Sequence, residues 1–438
     1  MADYWMQLPF LLKMELAQRS EEGCDVSAFK DEVEAFDDQS PVKAMEDAFD
    51  RLQALEVSPD FPYQEPSDLE SIRAARPEPV SLPALKLSEE ALRDKFYGAW
   101  LGRSAGCTLG KPVEGLDQAQ IRTYLDAANA YPLTDYIPLI EPFPAGVELH
   151  PSYHDTVRGR ISYMSRDDDT DYTIIGLHLL EKHGPGFTTA NVGDAWLNLF
   201  PYNMVFTAER VAYRNLVNDV PIPQTAFYRN PFREWIGAQI RADGFAYAAA
   251  GMPETAAELA YRDAALSHVK NGIYGEMMVA AMISAAFATS DMDTIIQAGL
   301  AQIPANSRLS AMMRQVIEWS RECATWEEAF AKVREACGHY FWVHTINNAA
   351  IVLLSLLYGK GDFARSIAIS VMAGWDTDCN GATVGSILGA VYGAKALPRE
   401  WVGPLNDTMH SAVYGFDNTR ISDLAERSYQ THLRLKKG

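Results

Sequence analysis

Two stretches of this chain place glycine at every fourth position: Gly98, Gly102, Gly106 and Gly110, then Gly381, Gly385, Gly389 and Gly393. A spacing of four aligns residues on one helix face, and glycine there costs about 1 kcal/mol relative to alanine. Four such positions on one ridge need a compensating reason, and close approach of another backbone is the usual one. Two ridges therefore predict two helices packed backbone to backbone. No run shows sustained strand alternation, so the expected fold is nearly all-α.

An acidic cluster lies at the start of a helix in two places. Ser165-Arg166-Asp167-Asp168-Asp169-Thr170-Asp171 opens the helical pattern Ile174 to Leu180, stopped by Gly184-Pro185-Gly186, and Gly374-Trp375-Asp376-Thr377-Asp378-Cys379 opens the second glycine helix. The helix dipole favours acids there, and one side-chain cap contributes about 1 kcal/mol. A single Asp achieves that, whereas three in a row repel one another. A hard divalent cation offsets the repulsion most directly. One cluster alone would be a solvated acidic turn, but two matching clusters point to one mouth. Asp168, Asp169, Asp376 and Asp378 supply carboxylates in a number that suits two hard cations about 3.5 to 4 Å apart. Glu114 follows the first ridge in the turn after Lys111-Pro112.

The remaining chain sets limits. Its 438 residues suggest roughly two or three domains, and 48% hydrophobic residues allow a large core. A net charge of −20 argues against nucleic acid as a partner. The five cysteines, Cys24, Cys107, Cys323, Cys337 and Cys379, form no CxxC pair, which suits a reducing cytoplasm. No basic leader is present at Met1-Ala2-Asp3-Tyr4-Trp5, and no apolar run approaches the roughly 18 residues that span a bilayer, so a soluble, membrane-free protein is expected. Residues 3–57 read as two or three helices. Prolines from Pro59 to Pro83 then mark a linker or wrapping arm, which places a boundary near Leu87: an N-terminal helical extension over 1–87 and a main domain over 88–438. Residues 117–160 read as loops and short helices.

Two further segments are candidates for ligand contact. Around Gly237 and Ala238, small residues beside Arg241 form a turn that a ligand phosphate could approach. His268, with Asn271 and Gly272, interrupts an alanine-rich helical stretch; a lone histidine there is usually a satisfied core group, and its polar neighbours shift the reading toward function.

Taken in order, the first glycine ridge with Lys111-Pro112-Val113-Glu114, then Asp168-Asp169-Thr170, then Asp376-Thr377-Asp378 resemble the motifs of the ADP-ribosylglycohydrolase family over about residues 90–395. The resemblance implies an all-α, orthogonal multi-helix bundle, here with an extra N-terminal helical segment, and a binuclear Mg²⁺ or Mn²⁺ centre. It implies hydrolysis of the bond between ADP-ribose and a protein side chain or related acceptor. On this basis Asp168, Asp169, Asp376 and Asp378 resemble the metal ligands. Glu114 resembles the glutamate that coordinates metal or positions the attacking water. Gly237, Ala238, His268, Asn271 and Gly272 correspond more loosely to the substrate-holding parts. Asp167 and Cys379 stand where the family usually has threonine; Asp167 keeps an oxygen and adds charge, while Cys379 offers a soft sulfur, and both complete the candidate metal set.

The expected chemistry is metal-assisted hydrolysis at C1 of a ribose, with Glu114 as base and Asp169 as a second catalytic carboxylate, on an ADP-ribosylated protein or a small ADP-ribosyl substrate. Another ribosyl substrate, such as a nucleoside or nucleotide sugar, suits the same centre. A non-catalytic binding protein on the same scaffold is the alternative from a different class.

Overall fold

Side-chain caps and glycine stops divide the chain into 21 α-helices among the residues that the computed structural model describes, 6–437. The opening Met1-Ala2-Asp3-Tyr4-Trp5, on which the absence of a leader is read, lies outside them. The N-terminal segment holds α1 (Leu8–Glu21), α2 (Lys30–Ala35), α3 (Val42–Gln53) and α4 (Leu69–Ala75). The ridge helix α5 (Glu89–Gly110) follows, its first turn capped by the Ser88 hydroxyl, which accepts from the Ala91 N–H. Next come α6 (Gln118–Ala127), α7 (Tyr153–Thr156), α8 (Asp168–His183), α9 (Thr189–Leu199) and α10 (Thr207–Val217). The central run is α11 (Ala242–Ala248), α12 (Pro253–Ala264), α13 (Lys270–Ala286), α14 (Met292–Leu300), α15 (Arg308–Glu322) and α16 (Trp326–Cys337). The chain closes with α17 (Thr345–Gly359), α18 (Phe363–Met372), α19 (Thr377–Tyr392), α20 (Arg399–Val402) and α21 (Ile421–Leu435). The strands among the described residues are β1 (Thr408–Met409) and β2 (Thr419–Arg420), antiparallel, with Thr408 opposite Arg420. The fold is all-α, as expected.

The glycine helices α5 and α19 form the centre. A Cβ on Gly98 would overlap the Gly389 carbonyl, one on Gly102 the Gly385 carbonyl, and one on Gly106 the Gly381 carbonyl. That register runs the two helices antiparallel at a separation only glycine permits, and it offsets the propensity cost of the ridge. The fourth step departs from expectation. Gly110 meets Thr377, whose hydroxyl donates to the Gly110 carbonyl at 2.8 Å. Gly393 lies past the end of α19 at φ 78°, against Asp94. It terminates the helix rather than extending the ridge.

The N-terminal segment packs on the main body through buried charges. Arg233 donates to Glu15 at 2.7 Å and to Glu22 at 3.0 Å, while Gln18 of α1 donates to Glu234 at 2.9 Å. The proline-rich arm wraps rather than dangles: Glu65 pairs with Arg308 at 2.8 Å, the Gln64 N–H donates to the Asn306 carbonyl at 2.8 Å, and the Tyr274 hydroxyl donates to the Pro66 carbonyl. Among the described residues no helix is long and apolar enough to cross a membrane.

Candidate metal centre

Because α5 and α19 run antiparallel, the end of one and the start of the other coincide. After Gly110 a 3-10 turn, Lys111–Val113, leads to Glu114. The next residues lock onto the turn before α19: the Gly115 N–H donates to the Trp375 carbonyl, and the Trp375 N–H to the Leu116 carbonyl, each at 3.0 Å. Gly374 and Trp375 both adopt positive φ, 85° and 67°, which turns Asp376 back toward Glu114. Such backbone in a non-glycine residue costs on the order of 1 to 3 kcal/mol and persists where its surroundings impose it.

The start of α8 reaches the same place by two tethers. From α5, the fully buried Arg103 donates to the Asp169 and Ile240 carbonyls at 2.7 and 2.6 Å, and pairs with the Asp169 carboxylate at 3.2 Å and that of Asp243 at 2.8 Å. From the C-terminal region, Met164 bridges to β1, and Asp171 accepts from the Ser411 hydroxyl at 2.6 Å, the Ala412 N–H at 3.0 Å and Arg166 at 2.7 Å. Asp171 is thus committed to structure, while its neighbours face the mouth.

The acid sets meet. Ligand atoms of Cys107, Asp167, Asp169 and Asp378 lie within 4.8 Å of one another, and so do those of Asp376, Asp378 and Cys379. Asp378 belongs to both groups, and its Oδ1 is buried without a hydrogen-bond partner. Asp376, at the N-cap of α19, makes no side-chain cap bond. The others are partly engaged. Asp167 caps α8 by accepting from the Asp169 N–H at 2.9 Å, and its second oxygen pairs with the Lys111 ammonium. The Cys379 thiol donates to Asp169 at 3.1 Å.

Crowding sets the electrostatics. Burial and the Asp167 charge push Asp168 up to about 8. Burial, with Asp167, pushes Asp378 up to about 6. Asp169 and Asp376 are driven well above the carboxylate range, chiefly by burial. Glu114 rises likewise, through burial and then Asp378. Asp167 is the exception: burial acts to raise it, but Lys111 holds it below the usual range. The Cys107 and Cys379 thiols are pushed far up, first by burial and then by the acids. An orphaned oxygen among carboxyls that resist ionisation is the signature of a site that fits a cation.

Above the acids opens a cleft of about 460 Å³, the size of a small-molecule site. One wall is aromatic and apolar. Trp235 and Ile236 are zipped to the Trp342–His344 segment, with the Ile236 N–H donating to the Val343 carbonyl at 2.8 Å. Phe206 lines the cleft as well, Arg166, Arg210 and Lys111 add positive groups, and the His150 imidazole stands beside them, lowered from its ordinary value by burial and then by Lys111. Asp167, Asp168, Asp169, Asp376, Asp378, Cys379, Glu114 and Gly237 all line this cleft.

Four expected substrate residues do not. Ala238 is fully buried beside the cleft. His268 is a buried neutral histidine, held far below its ordinary value by burial and bonded to the Ser267 hydroxyl at 2.8 Å. Asn271 donates to Glu65 and Glu234, each at 2.8 Å, and Gly272 lies under the Arg233 carbonyl. Asn271 thus holds the proline-rich arm in place, while His268 and Gly272 pack inside the main body. Arg241, beside the turn that a phosphate was expected to approach, is surrounded by Glu209 at 2.6 Å, Asp263 and Glu276. Gly237 owes its lack of a side chain to the Glu209 carboxylate, which a Cβ would overlap.

The sequence profile of the ADP-ribosylglycohydrolase family matches residues 88–436. The chain belongs to the ADP-ribosylglycohydrolase family. Among solved structures, an "ADP-ribosylglycohydrolase-related protein complex" is similar to it at 18% identity and a TM-score of 0.52, over 79% of this chain and 99% of that one. That likeness supports the fold. No curated protein matches the chain in sequence. ADP-ribosylglycohydrolases act on ADP-ribosylated substrates and are generally metal-dependent, and the buried Asp/Cys cluster of this one could hold a metal. Three residues at its centre escaped the sequence reading: Arg103, Cys107 and Lys111, all on the ridge helix or the turn after it. Their signal was position alone, since Gly102, Gly106 and Gly110 precede them by one residue each.

Proposed function

We propose that this chain is a metal-dependent hydrolase that cleaves the glycosidic bond at C1 of the ribose in an ADP-ribosylated protein or a related ADP-ribosyl conjugate. The observation that carries this reading is Asp378, which belongs to both acid groups, lines the cleft and keeps one buried oxygen without a hydrogen-bond partner. Asp168, Asp376 and Asp378 would hold the divalent cation; their oxygens favour Mg²⁺, with Mn²⁺ second. When bound, the cation supplies polarisation of a ribose hydroxyl or of water.

The chain's own residues supply the remainder. Glu114, with a side chain 29% exposed at the mouth, would be ionised once a cation offsets the neighbouring acid charges; its carboxylate then takes a proton from the attacking water as the bond from C1 to the acceptor breaks, and returns that proton to the departing acceptor. Asp169, fixed by Arg103, orients the sugar. Trp342 and Phe206 offer flat apolar faces to a base, and Arg166 offers positive charge to a diphosphate. The five cysteines stand free, which supports a reducing, cytoplasmic setting.

The test is a panel of ADP-ribosylated arginine and serine peptides, nucleosides and nucleotide sugars, read for free ADP-ribose against free ribose. Release of ADP-ribose supports the reading. Release of ribose from nucleosides alone assigns the centre to another ribosyl substrate. Ligand binding without turnover on any member of the panel makes the chain a binding protein.

A further inference from the structure

We propose that the Lys111 ammonium is a built-in cation of this centre, standing where the acid cluster would otherwise hold a second metal ion, so that the chain binds one divalent cation rather than two. The inference rests on the reading of the cleft as a metal site and concerns how many ions it takes.

Lys111 is 7% exposed. Its ammonium donates to the Arg166 carbonyl at 3.1 Å and pairs with Asp167. Asp167 in turn lies within 4.8 Å of the ligand atoms of Asp169, Asp378 and Cys107. A compact, fixed positive charge therefore sits inside the cluster. With Lys111 on one oxygen and the Asp169 N–H on the other, Asp167 is engaged on both sides.

Asp169 is engaged as well, by Arg103 at 3.2 Å and by the Cys379 thiol at 3.1 Å. A second ion on this side would have to displace an ammonium and a guanidinium from buried carboxylates, and would find the Cys107 thiol, a poor partner for a hard cation. The opposite side differs. Asp378 is 5% exposed with its Oδ1 unpartnered, Asp376 makes no cap bond, and Asp168 makes no side-chain hydrogen bond among the described residues. Ligand atoms of Asp376 and Asp378 lie within 4.8 Å of one another, with the Cys379 sulfur beside them, Asp168 and Glu114 line the same cleft, and one hard cation seated there would complete its shell with water. Lys111 supplies the remaining positive charge without leaving the fold.

The experiment counts Mn²⁺ bound to the chelated, full-length protein by mass spectrometry after gel filtration, and records its electron paramagnetic resonance spectrum. Two variants are compared with wild type: Lys111→Met, and Lys111→Met with Asp167→Thr, which removes both charges so that no buried carboxylate is orphaned. The expected result is one ion per chain with an uncoupled spectrum in wild type, and a doubling with exchange coupling in a folded variant. Two ions in wild type overturn the inference but leave the metal site standing. One ion in wild type and in both variants overturns the role of Lys111. No ion in any of the three overturns the metal site itself, and this inference with it.

Discussion

The Lys111 ammonium pairs with the Asp167 carboxylate inside the acid cluster. Asp167 and Asp169 are bound by Lys111, Arg103 and Cys379, whereas Asp378 keeps a buried oxygen without a hydrogen-bond partner. All three line one cleft of about 460 Å³ together with Asp168, Asp376 and Glu114. The arrangement depends on α5, which carries Arg103 and Cys107 and leads into Lys111 and Glu114, and on the glycine contact that lets α19 reach it.

Replacing Gly106 with alanine should drive Cβ into the Gly381 carbonyl. The gain in helix propensity is about 1 kcal/mol, whereas overpacking costs about 1 to 3 kcal/mol or more, so the net effect is destabilising. Thermal melting should show a lower Tm for Gly106→Ala than for Gly186→Ala, whose Cβ meets nothing within 4 Å. Equal melting temperatures would contradict the close packing.

Arg103→Met should cost about 3 to 5 kcal/mol, because removing one partner of a buried ion pair orphans the other, and here Asp169 and Asp243 are both left. Denaturant unfolding measures it. A loss below about 1 kcal/mol would mean that these carboxyls are satisfied without the arginine.

The N-terminal segment should be indispensable to the main domain. Without residues 1–87, the fully buried Arg233 and Glu234 lose Glu15, Gln18 and Glu22, and Arg308 loses Glu65. The fragment 88–438 is expected to lack a cooperative thermal transition by calorimetry. A fragment that melts at the full-length temperature would refute this.

Stability and cation binding should respond to pH in opposite senses. A carboxyl raised in the folded state keeps its proton where the unfolded chain has lost it, so the metal-free fold loses stability as pH climbs from the ordinary 3.8 to about 6 for Asp378 and to about 8 for Asp168. Cation binding requires both ionised and releases protons. The rise in Tm on adding Mg²⁺ should therefore be larger at pH 8 than at pH 6. A shift that is the same at both values would contradict the assignment of these acids as ligands.

What was legible in the sequence was local. The glycine period announced the α5 and α19 contact because ridge geometry follows from spacing, and the two acid clusters announced themselves by crowding charge beyond any capping need. Gly393 misled because a period of four does not reveal where a helix ends. Asn271 misled because its partner is remote, Glu65 lying 206 residues away, and His268 misled because its burial beside Ser267 is set by the fold and not by its polar neighbours in sequence. Lys111 was hidden for the same reason, since an ordinary lysine after a glycine helix gains its meaning only from Asp167, brought in by the fold.

The most direct test is release of ADP-ribose from an ADP-ribosylated peptide by chelated protein before and after Mg²⁺ is restored, with Asp378→Asn in parallel. Loss of even an outer-shell group at a metal site costs about 10- to 100-fold, so loss of the orphaned carboxylate should cost at least about 100-fold. The account predicts no release in chelator, recovery with Mg²⁺, and no recovery in the variant. Full activity in chelator, or an active Asp378→Asn, would contradict it.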